Sequence, residues 1–211
     1  MLRNYIKIAL RNLWRGGQFS LINIGGLALG ITVFLFIMQY VAFEWSANRF
    51  HKNFKELYRA NVQYKDGKTD YYLPPGFAPV IKQNVPGIEN YVRVAEGIGG
   101  GVITFTPSKQ TDTKTFREDA MIYVEGRFLE VFSFPLVAGN VTLNNPKTLA
   151  LSEPMSRKLF GAANSVGETV MVSNQFGNTP YTVTAVYQVP ENSDIKAEVL
   201  LSLHTLESAA N

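Results

Sequence analysis

Residues 16–43 contain no Asp, Glu, Lys or Arg, and within residues 19–43 fourteen of twenty-five positions are Leu, Ile, Phe or Val. A hydrocarbon core of about 30 Å needs roughly 20 helical residues to cross it. At about −0.4 kcal/mol per such side chain, insertion gains on the order of 5 kcal/mol, and no charge offsets it. The pattern predicts one transmembrane helix over residues 16–45. Trp14 stands before it, and Tyr40 and Trp45 close it, as interfacial aromatics do. The apolar run is too long for a cleaved signal peptide, so it reads as a permanent anchor. Inside it, Gly26-Leu27-Ala28-Leu29-Gly30 places two glycines one turn apart, which lets another helix approach closely.

The preceding residues, 1–15, carry a different periodicity. Wound as a helix, Leu2, Tyr5, Ile6, Ala9 and Leu13 share one face, and Arg3, Lys7, Arg11 and Arg15 line the other at i, i+4 spacing. Like charges so placed repel in water. Against anionic lipid each contributes about 1 kcal/mol of attraction. The segment therefore reads as an amphipathic helix lying in the membrane surface, with membrane lipid as its partner. Gly16-Gly17 allows the turn into the bilayer. Lys and Arg number four on each side of the span, so charge alone does not orient it. A long domain translocates largely regardless of charge, which favours the N-terminus inside.

Residues 46–211 read as a soluble domain. A short helix is expected over 48–57, with Phe50, Phe54 and Leu57 on one side. A strand over 58–64 turns at Asp66-Gly67 into a returning strand over 69–73. A helix over 77–85 precedes strands at 88–95 and 102–106, joined by a glycine-rich stretch, 97–101, read as a flexible loop. Further strands are expected at 115–124, 148–152, 168–173 and 181–189, and helices at 127–132 and 153–160, the last stopping at Gly161. The final strand alternates Tyr181, Val183, Ala185 and Tyr187 against Thr182, Thr184 and Val186. The fold class is α+β: one N-terminal transmembrane helix followed by an extracytoplasmic domain of short strands and helices.

Chemistry is sparse. A formal net charge of +3 is too weak to indicate a nucleic-acid partner. With no cysteine, disulfides, thiolate metal sites and a cysteine nucleophile are excluded. The glycine stretch lacks the Gly-Lys-Ser/Thr ending of a phosphate loop. His51 and His204 stand apart in the sequence, so neither suggests a zinc site, and His51 reads as a capping or surface residue. Glu118 and Asp119 sit at adjacent strand positions, which face opposite ways and make a poor acid–base pair. No nucleophile motif appears. Catalytic, cofactor and metal residues are therefore all expected to be none.

Taken in order, several pieces resemble the MacB/FtsX-type permease subunits of ABC transporters, with their MacB-like periplasmic core domain. Ala9-Leu10-Arg11-Asn12-Leu13 precedes the span, and Ile22-Asn23-Ile24-Gly25-Gly26-Leu27-Ala28-Leu29-Gly30 lies in it. Phe50-His51-Lys52-Asn53 and Leu57-Tyr58-Arg59 open the domain. Phe132-Ser133-Phe134-Pro135-Leu136, Leu151-Ser152-Glu153, Leu159-Phe160-Gly161, Val166-Gly167-Glu168, Val183-Thr184-Ala185-Val186 and Pro190-Glu191-Asn192-Ser193 follow. Two positions depart from the family pattern: Ala185, where Gly is usual, and Asp194, where His often follows Asn-Ser.

The resemblance implies a permease without its own ATPase site, paired with a cytoplasmic ABC ATPase subunit. It also implies dimerisation as a homodimer or pseudo-dimer, and admits a periplasmic adaptor. The span would pass motion to a domain in the periplasm, from the bacterial inner membrane, in efflux, extraction or signalling. The family has three more spans after the domain, so the chain reads as an N-terminal portion of such a permease, its domain incomplete. The alternative is a complete, single-span membrane-anchored periplasmic binding or sensor module; an anchored enzyme is a more remote third.

Overall fold

The basic and the apolar periodicities become two successive helices, α1 (Leu2–Arg15) and α2 (Gly17–Trp45). They break apart at Gly16-Gly17, where Gly17 has φ +51°, a left-handed conformation that glycine adopts without steric cost. The computed structural model describes residues 2–107, 113–161 and 164–209, and the chain divides into two units, Met1–Ala47 and Asn48–Asn211. In the first unit no residue of α2 is buried, so its apolar side chains are exposed all round. A core helix of a soluble protein would bury one face. By length and composition α2 can cross a membrane.

The second unit is built on a nine-stranded mixed sheet. Its strands are β3 (Val94–Ala95), β4 (Gly101–Phe105), β5 (Lys114–Glu118), β6 (Met121–Val124), β7 (Leu136–Gly139), β8 (Thr148–Ser152), β9 (Thr169–Asn174), β10 (Gly177–Tyr187) and β11 (Val199–Ser202). They lie in the order β3-β6-β11-β8-β10-β9-β4-β5, and β7 also pairs with β10. β6–β11 and β8–β10 are parallel; the other pairs are antiparallel. A separate hairpin joins β1 (Val62–Gln63) and β2 (Thr69–Asp70) through the Asp66-Gly67 turn. The helices are α3 (Phe77–Asn84), α4 (Phe128–Val131), α5 (Glu153–Phe160) and α6 (His204–Ala209).

Both faces of the central sheet are covered. On one face Met121, Tyr123, Leu149, Leu151, Val199 and Leu201 meet Met155, Leu159 and Phe160 of α5. On the other, Ile122, Val124, Ala150 and Leu200 meet Phe128 and Leu129 of α4. Strands buried on both faces lose the alternation of a half-buried strand, and β11, Val-Leu-Leu-Ser, gives no period-two signal. α5 starts as its sequence suggests. Ser152 caps it by accepting the Met155 N–H at 3.1 Å, and Gly161 ends it.

Several expectations are corrected. The alternation along β10 does not keep one face: Thr184 is an extra residue between the pairs Val183–Leu149 and Ala185–Ala150. That bulge sends Tyr181 and Val183 into the first core and Ala185 and Tyr187 into the second. The strand expected over 115–124 is two strands, β5 and β6, broken at Asp119-Ala120. Residues 48–57 form turns and one 3-10 turn, Phe54–Glu56, because Asn48 is left-handed at φ +59°. Strands over 58–64, 69–73 and 88–95 shrink to two paired residues each; between Lys52 and Ile98 no residue is buried, so sheet pairing has little apolar burial behind it. The glycine stretch is not a slack loop. A Cβ on Gly99 would collide with the Met121 carbonyl, and one on Gly101 with that of Ser173, so glycine is required by close approach.

Candidate functional site: the start of the second unit

Three distant segments meet where the second unit begins. The Asn48 N–H donates to the Asn192 carbonyl at 2.9 Å. Its side-chain amide donates to the Asp194 carboxylate at 2.7 Å, and its Oδ1 accepts the Asp194 N–H at 3.0 Å. Asn48 thus clips the chain to the loop after β10 with three hydrogen bonds. Its left-handed backbone is one that Asn tolerates well. Asp194 itself is one of the two departures from the family pattern, and here its carboxylate has a matched amide donor.

Two and three residues on, Phe50 and His51 plug into the second core. The Phe50 ring lies 5.6 Å from Phe134, edge-on; the His51 ring lies 5.4 Å from Phe132 and 5.9 Å from Phe134. Phe134 continues to Tyr187 at 5.8 Å, just beyond the bulge of β10. Such offset and edge-to-face pairs add about 0.5–1.5 kcal/mol each beyond area burial. His51 Nδ1–H donates to the Phe132 carbonyl, which fixes the tautomer. The residue is 5% exposed, not the surface position expected from sequence. Burial lowers its pKa, and the bond to Phe132 only partly opposes this. Ser133, between the two phenylalanines, is left-handed at φ +51°, and its Oγ accepts the Lys52 N–H at 3.4 Å. The turn aims both rings at the incoming chain.

Sequence reasoning found each motif separately, Phe50-His51, Phe132-Ser133-Phe134 and Asn192-Ser193, but not their meeting. The other named residues lie in the first unit. Arg3, Lys7, Arg11 and Arg15 are exposed along α1, as are Tyr5, Ile6 and Leu13; the side chain of Leu2 lies outside the described residues. Gly26 and Gly30 have open space where a Cβ would stand. Within the first unit all six positions are thus accessible. Among the described residues, no group of three or more His, Asp or Glu side chains is placed to hold a metal ion. A shallow cleft of about 290 Å³ lies between Lys82, Asn90, Tyr91, Glu125, Arg127 and Asn144.

The family model of the MacB-like periplasmic core domain matches residues 20–210. The chain belongs to that family. The match takes in most of α2, the clip at Asn48, the aromatic plug and the whole sheet. Its members are permease components of ABC transporters, not classical enzymes. Similar solved structures include a domain described as that of a permease protein from Porphyromonas gingivalis. It is 25% identical, with 61% of this chain and 57% of that one covered, at TM-score 0.48. The periplasmic region of MacB from Actinobacillus actinomycetemcomitans is 17% identical, with 59% and 53% covered, at TM-score 0.42. The extracellular domain of the noncanonic ABC-type transporter YknZ from Gram-positive bacteria is 16% identical, with 61% and 62% covered, at TM-score 0.42. The match thus spans less than two thirds of each of these chains. No curated protein matches.

Proposed function

We propose that this MacB-like chain is the first membrane-anchored portion of a permease that receives motion driven by ATP hydrolysis on another polypeptide. In this reading α2 crosses the inner membrane with α1 on its cytoplasmic surface. Residues 48–209 lie outside the cytoplasm, and the permease acts as a dimer. The observation that carries it is the clip and plug at the start of the second unit. Three hydrogen bonds through Asn48 and the rings of Phe50 and His51 fasten the chain directly after the span to the sheet's second core. Motion passed along the chain from α2 then enters a segment held by packed aromatic side chains rather than a slack linker. Packed interiors transmit such shifts because their compressibility is low.

In this reading the ATP is hydrolysed by a partner. The gene product, purified from its own membranes in mild detergent, is expected to bring down a cytoplasmic ATP-binding subunit, and ATPase activity with it. Purification with no ATP-binding polypeptide would favour the single-span binding or sensor module instead. For that module the cleft beside Tyr91 and Arg127 would be a candidate binding site.

A further inference from the structure

Outside the clip and the plug, one cluster of charges ties together chain segments that are otherwise loosely held. Arg93, just before β3, has a side chain only 18% exposed. Its Nε donates to Glu125 Oε2 at 2.6 Å, in the turn after β6. Its Nη1 pairs with Glu207 Oε1 of α6 at 2.8 Å and also reaches the Pro75 carbonyl at 3.4 Å, just before α3. His204 closes the ring, with Nδ1 2.9 Å from Glu207 Oε2 and Nε2 3.6 Å from Glu125 Oε1. Glu125 is anchored in turn, since its N–H donates to the Arg93 carbonyl at 2.9 Å.

The two segments that Arg93 reaches are held by little else. Between Lys52 and Ile98 no residue is buried, so α3 and its flanks have no core of their own. Helix α6 has only six residues. It rests on Leu203 and Leu206 at the first core and on Thr205, whose Oγ1 accepts the Lys147 N–H at 2.8 Å. One nitrogen, Nη1, serves both segments. Glu207 draws that nitrogen into place and thereby sets its reach to Pro75. Charge-assisted bonds to a forked guanidinium are directional, so losing one changes the geometry of the other.

We propose that Arg93 is a clasp coupling α6 to the segment around α3, so that the two segments are held together and released together while the sheet stays intact. Coupling of this kind is reciprocal: freeing one segment weakens the hold on the other. Arg93 is a positioning residue in this arrangement. The proposal deepens the permease reading by giving the outer domain a breakable joint between the segment around α3 and its last described helix, α6. It is tested without any partner, so its failure leaves that reading standing.

The test is hydrogen exchange, resolved by peptide, on the full chain in detergent. Glu207→Gln takes the charge from the α6 arm and so weakens it, and leaves the Arg93–Glu125 pair. Exchange is expected to rise roughly tenfold in both α6 and α3, with β8, β10 and β11 changed by less than about threefold. Sodium chloride at about 1 M should produce the same paired increase in the native chain, because ion pairs this exposed on one side are screened. Arg93→Met should give the paired increase at larger amplitude. A rise confined to α6, no rise, or a uniform rise across the sheet in Glu207→Gln would each overturn the clasp.

Discussion

His51 shows how a residue's neighbours decide its role. Alone in the sequence it reads as a surface histidine; in the structure it sits among Phe50, Phe132 and Phe134 with its Nδ1–H on a carbonyl. The neutral ring is the form that fits. Its folded pKa lies below the ordinary 6.5, with burial the cause. The sign follows: the unfolded chain binds the extra proton first, so the stability His51 contributes is present above about pH 6.5 and is lost as pH falls towards the lowered value. Glu207 titrates in a separate, more acid window. Burial pushes its carboxyl up, but hydrogen bonds and charge from Arg93 and His204 outweigh this and leave its pKa below 4.5. Its contribution is present above about pH 4.5 and is lost only below that. Denaturant midpoints of the full chain should therefore fall between pH 7 and pH 5.5, and the slope should flatten in His51→Asn, whose amide can still donate to Phe132. His51→Ala should cost about 2–4 kcal/mol at pH 7.5 through lost packing and an unpaired carbonyl. An unchanged pH slope in His51→Asn would remove His51 as its source.

At the scale of elements, local sequence was most legible where one signal sufficed. The charge-free run gives α2, and Ser152, Pro154 and Gly161 bracket α5. The Asp66-Gly67 pair gives the hairpin. What escaped depended on partners distant in sequence. β7 and β11 are short strands without alternation, and their existence is decided by β10, β6 and β8 beside them. The bulge at Thr184 is invisible in an alternating run because only the register against β8 defines it. Gly99 and Gly101 looked like freedom and are instead in close contact with β6 and β9. Gly26 and Gly30 pose the opposite question, since none of the described residues comes within 4 Å of where their Cβ would stand. If they face another span of the permease, Gly26→Ile or Gly30→Ile should weaken association by roughly tenfold or more in a membrane two-hybrid assay, because backbone approach is lost. Association equal to that of the native helix would reduce both to ordinary glycine content.

At the scale of the whole molecule, the long apolar helix and the α+β class could be read from residues alone. The organisation of the second unit could not. It concentrates its buried residues in the sheet, joins the incoming chain to the second core through Asn48, Phe50 and His51, and ties its last helix through Arg93. Each joint is made of residues separated by dozens of positions, with no local pattern to announce them. The functional account rests above all on the side of the membrane that this unit occupies, since it has an ATPase in the cytoplasm drive the unit from across the membrane. The chain has no cysteine, so a single Asn178→Cys, exposed at the start of β10, gives a unique label site. In intact spheroplasts a membrane-impermeant maleimide is expected to label Cys at this position fully, with no further gain on lysis. Labelling that appears only after the membrane is broken would place the unit in the cytoplasm and contradict the account.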